Sequence, residues 1–163
     1  MAYILTLLPV VVTLVSLRLY RRDGKRMQRF YLNMTFGASA RVFFTFVIVE
    51  SLFMFNFLYL LTYGITWSLY VSSALPLLAF IRKFDEWTFF KLQKRTVLGG
   101  MMLSTLILGC NTVTWPIGFT LYVTLLASFF YPSEKLLRRL SDPSEFTKLA
   151  ANPPSAIKDY YSV

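Results

Sequence analysis

The chain has 163 residues, 56% of them hydrophobic and only 15% charged, with a net charge of +9. A mean hydropathy of +0.54 is too apolar for an ordinary soluble domain, and long uncharged runs place the chain among integral membrane proteins. Histidine is absent and Cys110 is the one cysteine, which excludes an intrachain disulfide and a Cys-rich metal site and removes the commonest general base.

No metal, no cofactor and no enzymatic activity are therefore expected. The basic residues lie beside apolar runs, so membrane topology and anionic headgroups account for them better than nucleic acid does. Read as a whole, the sequence predicts an all-α, polytopic membrane protein. It has about five transmembrane helices (one anchor plus two helical hairpins) over residues 1–131, short interfacial amphipathic helices, and a polar basic C-terminal tail over 132–163.

The first span is residues 2–17, with Arg18, Arg21 and Arg22 directly after it. A signal peptide carries its charge before the apolar stretch, so this one reads as a retained anchor, kinked at Pro9. Residues 18–41 form a basic connector in which Asp23-Gly24 marks a turn, and Met27 to Phe36 reads as an interfacial helix.

Residues 42–81 contain a single Asp, Glu, Lys or Arg, Glu50. As one helix they would be about 60 Å long, twice a hydrocarbon core of about 30 Å. They must turn back at Thr62-Tyr63-Gly64, giving spans 42–61 and 65–81, and this hairpin is expected to place the rest of the chain. Arg82 and Lys83 end it. A second surface helix is expected in the connector, around Trp87, Phe89, Phe90 and Lys91. Spans 97–112 and 116–131 make the second hairpin, broken at 111–116, with Pro116 suited to the first turn of the returning helix.

In the tail, Asp142, Pro143 and Glu145 form a capping pattern. A helix is expected from there to Ala151, stopped by Asn152-Pro153-Pro154. Residues 155–163 show no core-forming pattern. Five crossings put all seventeen Lys and Arg on one side, the positive-inside arrangement. The N-terminus is then outside and the C-terminus on the basic (matrix or cytoplasmic) side.

Glu50 is expected near mid-membrane, either as a relay or held neutral by a hydrogen bond to Ser104, to Thr105 or to a partner subunit. Small residues at helical spacing read as packing faces: Ser68 and Ser72, then Gly100, Ser104, Thr105 and Gly109, then Thr120, Thr124 and Ser128. Arg21, Arg22, Arg26, Arg82, Lys83, Lys94, Arg95, Arg138 and Arg139 are expected to bind anionic phospholipid, cardiolipin if the membrane is mitochondrial.

The leading functional expectation is a non-catalytic accessory subunit of a multisubunit membrane complex. A bioenergetic complex of the mitochondrial inner membrane (respiratory chain or ATP synthase) is favoured, with other membrane subunits as partners. The alternative is a small proton, ion or solute carrier or channel using Glu50. A membrane enzyme would have to rely on Asp85, Glu86 and Lys91, which read more simply as a solvated helix face.

Overall fold

The computed structural model describes residues 2–20, 24–78 and 84–152, together with 156 and 160. Every regular element among them is a helix: α1 (Ala2–Leu19), α2 (Lys25–Phe36), α3 (Ala38–Tyr63), α4 (Trp67–Leu77), α5 (Phe84–Gln93), α6 (Arg95–Gly109), α7 (Trp115–Phe130), α8 (Glu134–Leu140) and α9 (Pro143–Ala151). The all-α expectation holds, and each of the five apolar segments carries a helix.

Among the described residues, one helix, α3, is long and apolar enough to cross a membrane. Its 26 residues span about 39 Å, whereas α4, α6 and α7 reach only about 16, 22 and 24 Å. The connection from α3 to α4 passes through Gly64 at φ +79°, a left-handed geometry that glycine adopts without a Cβ penalty. That is the expected turn.

The centre of the fold is elsewhere. Helix α7 packs against α1, α3, α4, α5 and α6, and ten of its sixteen residues are buried. Helix α6 has no buried residue at all, so this hairpin has one helix inside and one outside. Their closest approach is at Gly118, where an added Cβ would sit 2.9 Å from the Gly109 backbone nitrogen and 3.1 Å from the Leu108 carbonyl carbon. The connecting turn is held by Asn111 Oδ1, which accepts from Val113 N at 2.9 Å, and by Thr114 Oγ1, which donates to Leu108 O at 2.8 Å.

Two cores result. One lies between α3, α4 and α7 and contains Leu52, Phe55, Tyr59, Leu69, Trp115, Phe119 and Val123, with the Phe55 and Phe119 rings stacked at 3.8 Å. The other sits where the charged ends of the helices meet and joins Tyr31, Met34, Phe89, Tyr131, Leu136, Leu149, Ala156 and Tyr160. The tail thus packs back onto α2, α5 and the end of α7.

Ala156 and Tyr160, from a stretch expected to have no core-forming pattern, are 0% and 2% exposed. Both side chains enter the charged-end core. The Tyr160 hydroxyl donates to Phe130 O at 2.6 Å, satisfying one of the carbonyls that a helix end leaves free. Gln93 Nε2 adds two bonds at the same end, donating to Ser128 O at 2.8 Å and Tyr131 O at 3.0 Å.

Helix α9 starts where the capping pattern places it, with Asp142 Oδ1 accepting from Ser144 N at 3.0 Å. Glu145 does not complete a capping box. It pairs with Arg139 at 2.7 Å and Lys148 at 2.9 Å, tying α9 to α8.

The α6–α7 crossing gives a direct test. Gly118→Ala must push backbone apart and is expected to cost about 1–3 kcal/mol, as overpacking does. Gly100, whose Cβ would meet nothing within 4 Å, should tolerate alanine with no loss or a gain of up to about 1 kcal/mol from helix propensity. Thermal unfolding of the two variants beside the parent chain measures this.

Candidate functional site

Three helices converge on a buried polar seam. Ser72 Oγ of α4 donates to Asn56 Oδ1 of α3 at 2.8 Å and lies 2.7 Å from Thr120 Oγ1 of α7. Asn56 Nδ2 donates to Ser73 Oγ at 3.1 Å. Asn56, Ser72 and Thr120 are 4%, 0% and 2% exposed. In an apolar interior such groups must satisfy one another, so the seam fixes the rotational register of α3, α4 and α7. Nearer the turns, Tyr59 Oη donates to Thr112 O at 2.8 Å and Ser68 Oγ donates to Val113 O. The uncharged 110–114 turn is therefore tied to α3 and α4 at one end of the bundle.

The small residues expected to form packing faces divide between inside and outside. Ser68, Ser72, Thr120 and Ser128 are buried, and Thr124 is half-buried, donating to Thr120 O at 2.7 Å. Gly100 and Gly109 both face open space on their Cβ side, and Gly109 meets α7 only through its backbone. Ser104 donates to Gly100 O at 2.9 Å and Thr105 to Met102 O at 2.7 Å, each within its own helix.

Neither hydroxyl is paired with Glu50. That residue is exposed on the outer face of α3, beside Leu8 and Val12 of α1 and near Ser51 and Met54. Among the described residues it has no hydrogen bond or ion pair. The phenylalanines of α3 separate in the same way: Phe43, Phe46 and Phe57 point outward while Phe55 is buried.

Of the cationic residues, Arg21, Arg22, Arg82 and Lys83 lie outside the described residues. Arg26, Lys94 and Arg95 are exposed at the charged end. Arg138 pairs with Glu134 at 2.6 Å and Arg139 with Glu145 at 2.7 Å, so both already have carboxylate partners. Lys91 sits 5.5 Å from the Trp87 ring centroid, a cation–π distance. Asp85 has no described side chain, and Glu86 faces a different space from Lys91.

That space is a cavity of about 640 Å³ at the charged end, lined by residues from α2, α3, α5, α8 and α9, including Arg41, Glu86, Glu134, Arg138 and Phe146. Arg41 Nη1 donates to Met34 O at 3.0 Å and Thr35 O at 3.1 Å, closing the C-terminus of α2. Its Nε is buried without a hydrogen-bond partner and stands 3.8 Å from Glu86 Oε1. An unmet buried donor costs about 1–3 kcal/mol. The arrangement offers a cation and a carboxylate side by side, a binding chemistry, and nothing in it activates a nucleophile.

Sequence reasoning passed over Asn56, Gly118 and Arg41. An asparagine in the middle of an apolar run signals an interhelical hydrogen bond as clearly as a carboxylate does, and that signal was available. Gly118 carries no such mark, because its closeness to Leu108 depends on how α6 and α7 cross.

Comparison with protein-family models, with curated proteins and with solved structures finds no match to this chain. The site is therefore read from its own geometry.

Removing one member of the seam should leave the others unmet. Asn56→Leu and Ser72→Ala are each expected to lower stability by about 1–3 kcal/mol. In the double variant the losses should fall short of the sum by at least about 0.5 kcal/mol. Additive losses in denaturant unfolding would show that the two do not act together.

Acid should loosen the α8–α9 contact. The Arg139 hydrogen bond, then that from Lys148 and its charge, hold the Glu145 carboxyl below its ordinary pKa of 4.5. A lowered folded-state pKa means the contribution is complete above the ordinary value and disappears as pH falls through the lower, folded one. Glu145→Gln should flatten that part of a stability–pH curve below pH 4.5 and leave the neutral-pH side unchanged in slope.

Proposed function

We propose that this protein is a polytopic membrane protein acting as a non-catalytic subunit of a larger membrane assembly. In this reading the five apolar helices lie in the bilayer and the charged end lies at the inner face with the C-terminus. The uncharged turns around Gly64 and Asn111 lie outside. Helices shorter than the hydrocarbon thickness fit a locally thinned bilayer. The exposed cations Arg26, Lys94 and Arg95 would meet anionic phospholipid.

The observation that carries the reading is the outward face of the bundle. Helix α6 has no fully buried residue, and Leu103, Leu106 and Ile107 are about as exposed as Leu14 and Leu17 of α1 and Val42 and Phe43 of α3. Glu50 stands in that apolar surround without a partner among the described residues. In lipid, a carboxyl at this depth calls for a donor from outside the chain, which a neighbouring subunit supplies. A carrier working through Glu50 would need it on the interior seam with Asn56 and Ser72, so its outward position favours the subunit reading.

Purification in mild detergent should give an assembly larger than one chain. Glu50→Gln keeps a hydrogen-bonding side chain and should retain the partners. Glu50→Leu should shed them while the isolated chain keeps its own melting temperature. A monomer from the parent chain would sink the proposal.

The topology has its own check in sealed vesicles. The exposed native thiol of Cys110 should react with an impermeant reagent from the outer side. In a Cys110→Ser background, Gly24→Cys should react only from the inner side. Labelling of both from one side would refute the five-crossing arrangement.

A further inference from the structure

The cavity at the charged end holds two guanidinium–carboxylate pairs that differ in how far their bonding capacity is used. Arg138 and Glu134 meet at 2.6 Å, a closed pair. Arg41 and Glu86 stay 3.8 Å apart, beyond hydrogen-bond length. Arg41 uses only Nη1, on two backbone carbonyls, while its Nε has no acceptor. Besides Arg41, the partner of Glu86 among the described residues is the Tyr131 hydroxyl, at a long 3.5 Å. The cavity wall therefore sets the Arg41 guanidinium, its Nε shielded from the open space, beside the partly exposed Glu86 carboxylate. Phe36, Phe90 and Phe146 line it as well.

A buried donor such as Arg41 Nε is nearly always satisfied in native proteins, whereas Glu86, with a side chain 39% exposed, also faces solvent. A simple anion would suit Arg41 but meet the carboxylates of Glu86 and Glu134. A simple amine would suit Glu86 but meet Arg41 and Arg138. A ligand carrying both charges on a short spacer suits both at once, and its cation must be able to donate hydrogen bonds to a carboxylate. We infer that this cavity binds a phosphoethanolamine group, with the phosphate against the Arg41 guanidinium and the primary ammonium against Glu86. The aromatic wall accepts whatever hydrocarbon follows. That the group comes from a phospholipid headgroup rests on the membrane reading above; free phosphoethanolamine carries the same chemistry.

The full chain, purified in detergent, would be titrated with short-chain phosphatidylethanolamine, phosphatidylcholine and phosphatidylglycerol, and separately with soluble phosphoethanolamine. Binding would be read by native mass spectrometry and thermal shift. The ethanolamine lipid should bind once per chain and about tenfold more tightly than the other two, since charge-assisted hydrogen bonds form at both ends only there. Glu86→Gln and Arg41→Lys should each lose about that factor, consistent with removing one such end. Glu86→Gln keeps the test available if Arg41→Lys fails to fold.

Equal binding of the three lipids, or binding indifferent to Glu86→Gln, would overturn the site. If the chain fractionates with membranes and shows no ethanolamine preference, the site fails and the membrane reading stands. If it fractionates with the aqueous phase and binds soluble phosphoethanolamine through Glu86, the membrane reading fails and the site stands.

Discussion

A helix enclosed by five others has to solve two problems, and most of this structure consists of the solutions. Its neighbours need somewhere to approach, and its polar ends need partners that water cannot supply. Helix α7 meets the first with Gly118, against which the backbone of α6 lies in direct contact. It meets the second at its far end, where Gln93 and Tyr160 reach in from other elements to the carbonyls of Ser128, Phe130 and Tyr131. Ser133 then caps α8, accepting from Leu136 N at 3.4 Å. Helices that surround α7 keep one face free, which is why α1, α3 and α6 carry the outward apolar surface.

The two ends of the bundle are held by different physics. At the turn end, tyrosine and serine hydroxyls donate to loop carbonyls, so the α6–α7 turn is fastened to α3 and α4 by hydrogen bonds. At the charged end, rings and aliphatic side chains from five separate elements pack around Tyr131, whose ring stacks on Phe89 at 4.7 Å. Ion pairs lie around this core and not within it. The closest of them, Arg138–Glu134, is on a side chain 79% exposed and adds little on its own.

Helix positions were legible from the uncharged runs and from the punctuation at Gly64 and Pro116, because periodicity and breaker residues are local properties. The start of α9 was legible for the same reason, while the destination of Glu145 was not, since Arg139 competes for it from another helix. Rank among the helices was hidden altogether. Residues 42–81 form the longest apolar stretch, yet length in sequence says nothing about enclosure, and α7 is the helix at the centre. Glu50 stood out as a lone charge, and Asn56, six residues further on, does the interior bonding. Tyr160 was unreadable because its role depends on where Phe130 ends up.

Ala156 and Tyr160 are synthesised after every side chain they pack against. Tyr31 must wait, with its aromatic partner still to be made, until nearly all of the described chain has been produced. The charged-end core is thus closed by contacts of long sequence separation, the kind that form late. Until then the carbonyl of Phe130 lacks the Tyr160 donor and the Tyr31 ring lacks its Tyr160 neighbour. A chain not yet made as far as Ala156 would have α1 to α9 in place and this end unsealed.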